Sequence, residues 1–214
     1  MVDDPVVSGS PARKRLVDGR RQRSERTRLL IIEAYLDLLR ESPQVPTAAQ
    51  IADRAGYSVR SVFERFADLL TLSLAVADHA FAQGSAQAMP RHVDADRQTR
   101  IRSQVETRAR VCERWLPLWR VLLHNQDESD LLKERIEYMR EAIIARLQLM
   151  YRPELATLPK PARKQLLIAL EALTDFESWG RMRERHRLSV EAACEVWIKA
   201  IDRMLPPTPG SGAT

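Results

Sequence analysis

The chain has 214 residues, 44% of them hydrophobic and 29% charged, with a net charge of +5. That is a globular composition rather than a disordered one. With only 7 glycines and abundant Leu, Ala, Arg and Glu it favours helices over sheets.

No apolar run approaches the roughly 18 residues a bilayer span requires. The amino terminus, MVDDPVVSGSPARKRL, has no apolar core of the signal-peptide kind. A cytoplasmic protein without membrane partners is therefore expected, with Cys112 and Cys194 as reduced core residues. Charge is unevenly placed. Residues 13–28 hold eight basic and two acidic side chains, a sum of +6, which leaves the remainder near −1. Such an arm suits a polyanion partner, nucleic acid being the simplest, although a solvated leader would have the same composition.

Residues 1–22 mix Pro, Gly, Ser and Arg without apolar periodicity and are expected to form a disordered basic arm. A first helix over 23–41 carries Ile31, Ile32, Ala34, Tyr35, Leu38 and Leu39 as a wide stripe. SPQVP at 42–46 ends it. Thr47 and Gln50 form a capping box that opens a second helix, with Ile51, Ala52 and Ala55 facing inward. Gly56 is placed for a left-handed turn. Ser58 caps a third helix of about nine residues, whose expected apolar face is Val59, Val62, Phe63 and Phe66. Asp68 caps a fourth helix, 69–87. Helices are then expected over 95–114, from Pro117 to His124, and over 131–151. After a proline-rich connection at 152–162, two more cover 163–185 and 189–205, the last capped by Ser189. Residues 206–214 read as a flexible tail. The fold class is all-α with nine helices: a helix-turn-helix unit over 23–67 and a helical effector-binding and dimerisation unit over 68–205.

A short helix, a glycine turn and a second short helix suit a B-DNA major groove, though ordinary bundles contain the same pair. The residues themselves carry more. RLLIIEAYLDLL, TAAQIADRAGYSVRSVFERF and ADLLTL resemble the amino-terminal domain of tetracycline-repressor-like (TetR) transcription regulators. Thr47, Ile51, Ala52, Ala55, Gly56, Ser58 and Phe66 agree at the family spacing. The chain departs from the pattern at Arg60 (usually glycine), Phe63 (tyrosine), Arg65 (histidine) and Leu69 (lysine). The resemblance implies a double-stranded DNA operator as partner, palindromic and bound by a homodimer, with repression the usual outcome. Phe63 and Leu69 remove two of the family's phosphate contacts. The alternative is therefore a protein of this fold that has lost specific DNA binding and serves as an interaction module.

On that reading Arg60 is the base-reading residue. Tyr57, Ser58, Ser61 and the helix start at Thr47 contact phosphate. Val59 falls either on the DNA side or in the core. Arg65 compensates for the missing phosphate contacts, and Arg20, Arg21 and Arg23 of the arm reach the minor groove.

Two-fold symmetry would set two reading heads one DNA turn apart. The last two helices are the expected dimer surface, through Leu166, Leu170, Leu173, Val196 and Ile201, with closure of the subunit's own core as the other account of them. The family resemblance also implies a pocket for a small-molecule effector of unknown identity. Trp115, Trp119, Tyr138, Met139 and Trp179 are its candidate lining, with ordinary core packing as the other account of each. His79, His92, His124 and His186 are isolated, and no zinc-protease, phosphate-loop or nucleophile-elbow motif occurs. Catalytic residues, metal ligands and cofactors are not expected.

Overall fold

In the computed structural model of the chain, residues 11–42 and 44–210 are described, with side chains from Arg21 onward. The side chains of Arg13, Lys14, Arg15 and Arg20 thus lie outside the described residues. Among the described residues there are ten α-helices, one 3₁₀ turn and one π-helical turn, and no strand. No helix there is long and apolar enough to cross a membrane.

Contacts divide the chain into two units, with the boundary after Val76. The first unit contains α1 (Pro11–Glu41), α2 (Ala48–Ala55), α3 (Val59–Phe63) and the start of α4 (Leu69–Gln87). Helix α1 begins at Pro11, not at Arg23, so residues 11–22 are helical where a disordered arm was expected. Proline is tolerated in a first turn, and Ala12 to Leu16 are strong helix formers. Ile31, Tyr35 and Leu39 of α1, Ile51 of α2, Val62 of α3, Phe66, and Leu72 and Val76 of α4 form the core. The Tyr35 hydroxyl lies 3.3 Å from Ser73 Oγ on α4. Arg54 of α2 donates two hydrogen bonds to the Glu41 carboxylate, at 2.9 and 2.6 Å.

In the second unit α5 (Arg97–His124) is the axis, with α6 (Asp130–Met150), α9 (Phe176–Gly180) and α10 (Val190–Met204) packed against it. The sequence predicts two helices where α5 runs unbroken through Pro117. An interior proline costs about 3 kcal/mol. Trp115, Leu116, Leu118 and Trp119 are all buried around it, and each contributes about 1.5–3 kcal/mol, so packing outweighs the break. The opposite happens at 163–185. One expected helix is three pieces: α8 (Lys160–Leu173), α9, and a π-helical turn over Arg181–Arg185. Asp175 caps α9 by accepting from Ser178 N at 2.6 Å, so the chain restarts there. At Gly180 an added Cβ would meet Arg120 Nη2 at 2.6 Å and Leu116 Cδ2 at 3.0 Å. That helix contact with α5 therefore depends on the missing side chain. A short helix, α7 (Arg152–Ala156), occupies part of the proline-rich connection.

Arg100 and Glu154 form a buried bidentate pair, at 2.8 and 2.6 Å. Thr208 Oγ1 donates to the same carboxylate. Arg97 donates to Asp202 Oδ1 at 2.8 Å and to the Pro206 carbonyl at 2.5 Å. The tail expected from residue 206 is therefore held at Pro206 and Thr208. Cys112 and Cys194 are free and buried. Burial raises the thiol pKa of Cys112 to about 11.

Candidate functional site

The turn between α2 and α3 is built from its caps. Thr47 Oγ1 accepts from Gln50 N at 3.3 Å, and Gln50 Oε1 accepts from Thr47 N at 2.9 Å. At the other end Gly56 takes φ 74° and ψ 31°, with Tyr57 N donating to the Ala52 carbonyl at 2.9 Å. Ser58 Oγ then accepts from Ser61 N at 3.1 Å and starts α3. Each of these caps is legible in the sequence.

Helix α3 is five residues long instead of nine. Beyond Phe63 the turn tightens: Arg65 N bonds to Val62 O at 3.1 Å, and Phe66 N to the same carbonyl at 3.0 Å. Val62 and Phe66 are buried. Val59 and Phe63, predicted to share that apolar face, are 40% and 43% exposed. With Arg60 and Glu64 they form the outward surface. The Arg60 side chain is 88% exposed, and its Nε donates to Glu64 Oε1 at 3.0 Å.

Of the other expected contacts, Ser58, Arg21 and Arg23 are exposed, while Ser61 and Tyr57 are half-buried. The Tyr57 hydroxyl lies 3.3 Å from Thr27 Oγ1 on α1. Arg65 is turned back. Its Nη1 donates to the Ser61 carbonyl at 2.9 Å, and its Nε is buried without a partner among the described residues. The sequence reading missed Arg28, which braces the end of α3. Its guanidinium sits 4.2 Å above the Phe66 ring, and Nη1 donates to the Arg65 carbonyl at 2.9 Å.

The second unit contains a cavity of about 130 Å³ between α4, α5, α6 and the start of α9. Of the candidate lining residues, Trp115, Trp119 and Met139 border it. Two other candidates lie elsewhere. Tyr138 is 57% exposed, against Phe81 at 5.0 Å. Trp179 packs on Trp197 at 4.8 Å and donates to Glu113 Oε1 at 2.7 Å. Phe176 stacks on Trp119 at 4.9 Å. The arginines of the lining, Arg108 and Arg146, were not anticipated. Arg108 donates from Nε to the Thr174 carbonyl at 2.7 Å, and its guanidinium lies 4.5 Å over Phe176. Arg146 donates from Nε to Gln104. Both terminal nitrogens of Arg146, and the indole nitrogens of Trp115 and Trp119, are buried without a partner among the described residues.

No family model matches the sequence, and no curated protein matches it. Solved structures do match. A TetR-family transcriptional regulator from Streptomyces coelicolor superposes with a TM-score of 0.68 at 17% identity, over 84% of this chain and 79% of the other. A candidate TetR-family regulator from Rhodococcus sp. gives 0.61 at 17% identity, over 84% and 98%. The multidrug-binding protein EbrR in complex with malachite green gives 0.51 at 18% identity, over 84% and 98%. The chain has the TetR fold.

Within this TetR fold the expected dimer residues divide. Leu170 and Ile201 are fully buried inside the subunit and cannot form its surface; Leu166 and Leu173 are half-buried. Val196 is exposed. The outward face of α8 is instead Gln165, Ile168, Ala169 and Ala172, spaced three and four residues apart, with the exposed Lys164 at its edge one turn before Ile168. The physical reason is helical phase: Leu167 and Leu170 turn inward, so Ile168 turns out.

Proposed function

We propose that the protein is a DNA-binding transcription regulator, acting as a homodimer on a palindromic operator and released from it by a small molecule. The observation that carries the reading is the outward surface of α3. It presents Arg60 at 88% side-chain exposure beside Val59 and Phe63, on a helix fixed by Gly56 and Ser58 from one end and Arg28 from the other. An arginine forks guanine, and an apolar neighbour suits a thymine methyl.

Arg60 is paired with Glu64, but an exposed i,i+4 pair contributes only about 0.3–0.5 kcal/mol. A bidentate guanine contact contributes about 1–3 kcal/mol, so the exchange favours DNA. Arg65 is committed to the Ser61 carbonyl, which leaves phosphate anchoring to Ser58, Tyr57, the Thr47 helix start and the arginines of α1. Repression is proposed as the sense of regulation, and the cavity in the second unit is proposed as the effector site.

An electrophoretic shift against genomic fragments, followed by selection of bound sequences, tests this. The wild type should select a two-fold symmetric site. Arg60→Ala should relax the preference at one position of each half-site by about 1–3 kcal/mol. Each phosphate contact removed should flatten the slope of log K against log salt by about 0.9. Absence of any preferred fragment would favour the interaction-module alternative. Phe63 and Leu69 at two anchoring positions give that alternative its support.

A further inference from the structure

The cavity is short of acceptors. Four buried polar atoms of its lining lack a partner among the described residues: Nη1 and Nη2 of Arg146 and the indole Nε1 of Trp115 and Trp119. All four are donors. The lining contains no Asp or Glu, and neither Arg108 nor Arg146 forms an ion pair among the described residues. Burying an unpaired cation is costly, and a native chain retains one where something anionic comes to meet it. Burial pushes the pKa of Arg146 down to about 10, with Arg108 and Arg110 acting in the same direction and Tyr151 against it. At neutral pH the group remains charged.

Size and walls narrow the class further. An apolar cavity of about 150 Å³ takes a benzene ring, and this one is about 130 Å³. Trp115, Trp119, Phe176 and Ile143 supply ring-sized apolar walls. A planar guanidinium with two free, parallel N–H groups matches a carboxylate fork to fork.

We propose that the cavity binds a single-ring aromatic carboxylate, held at its carboxylate by the terminal nitrogens of Arg146 and enclosed at its ring by Trp115, Trp119 and Phe176. This rests on the reading of the cavity as the effector site and specifies the ligand's chemistry.

Calorimetric titration of the full chain with benzoate and phenylacetate, beside acetate, benzamide and benzylammonium, tests it. The two aromatic acids should bind at least about tenfold more tightly than the other three, as expected for a charge-assisted fork joined to a buried ring. Arg146→Gln should weaken benzoate by about 10- to 100-fold. The melting temperature of the ligand-free variant should hold or rise, because a buried unpaired charge is removed. A fall in that temperature with benzoate affinity unchanged would make Arg146 merely structural and overturn the proposal. Benzamide or benzylammonium binding as tightly as benzoate overturns the class while leaving an effector site. Acetate binding as tightly removes the ring from the proposal. No binding by either aromatic acid at millimolar concentration also overturns it. Benzoate that binds but leaves the shift of the selected DNA fragment unchanged overturns the effector reading and not the ligand class.

Discussion

Arg100 and Arg146 are the same side chain in the same unit, and they behave differently because of their partners. Arg100 spends every nitrogen: Nε on the Ala95 carbonyl at 3.1 Å, Nη1 on the Met150 carbonyl at 2.6 Å and on Glu154, and Nη2 on Glu154. That arrangement is structural. Removing one member of a buried pair costs about 3–5 kcal/mol, because the other is left charged and dry. Glu154→Ala should lower the unfolding free energy from urea melts by that amount, whereas Arg100→Met with Glu154→Leu should come close to the wild type. The pH dependence has a definite sign. Burial acts to raise the Glu154 pKa, but the hydrogen bonds from Arg100 and Thr208 outweigh it and leave the carboxyl below its ordinary value. A carboxylate depressed in the folded state contributes stability that is fully present above the unfolded pKa of about 4.3. It is lost as the pH falls through the folded value. Melting temperatures taken from pH 7 to pH 3 should therefore drop more steeply below about pH 4.3 in the wild type than in the Arg100→Met, Glu154→Leu variant.

Among the elements, the turn at Gly56 gives the sharpest test. Its φ of 74° is left-handed, and a Cβ there would meet nothing within 4 Å. The cost of a side chain is thus conformational and not steric. Gly56→Ala should destabilise by about 1–2 kcal/mol, and Gly56→Asn by less, since asparagine tolerates this region. Equal losses in denaturant melts would point to a clash instead. This turn, both caps beside it and the starts of α4 and α10 could be read in advance because local chemistry decides them. The end of α3, the unbroken α5 and the restart at Asp175 could not, since burial of distant side chains outweighs the local preference there. Pro117 shows this most plainly. The cavity was half legible. Its tryptophans announced themselves by size, but an arginine on a helix reads as solvated. A signal for Arg146 was nevertheless present: Met139, Ile143, Arg146 and Met150 follow one another at four, three and four residues, a single inward stripe.

At the scale of the whole molecule the open question is association, and burial within one subunit restricts the answer. Leu170 and Ile201 belong to the subunit's own core, so aspartate at either should unfold the chain and say nothing about a dimer. Ile168 on α8 is 53% exposed and Val196 on α10 is 46% exposed. Ile168 shares its exposed face with Gln165, Ala169 and Ala172, and the exposed Lys164 flanks it one turn earlier. An uncharged centre with charge kept to the edge, at Lys164 and Lys199, suits a self-complementary contact, since every residue meets its own symmetry mate or a neighbour of it. Like charges introduced there are doubled by the two-fold. In the proposed homodimer, Ile168→Asp with Val196→Asp should therefore shift the sedimentation coefficient from that of a dimer to that of a monomer while the helical circular dichroism is kept. Benzoate binding should persist, because the cavity lies between α4, α5, α6 and α9. Operator binding should fall by at least about a hundredfold, because a single reading head makes too few contacts to hold one site. A variant that remains a dimer would place the contact on another face of the second unit.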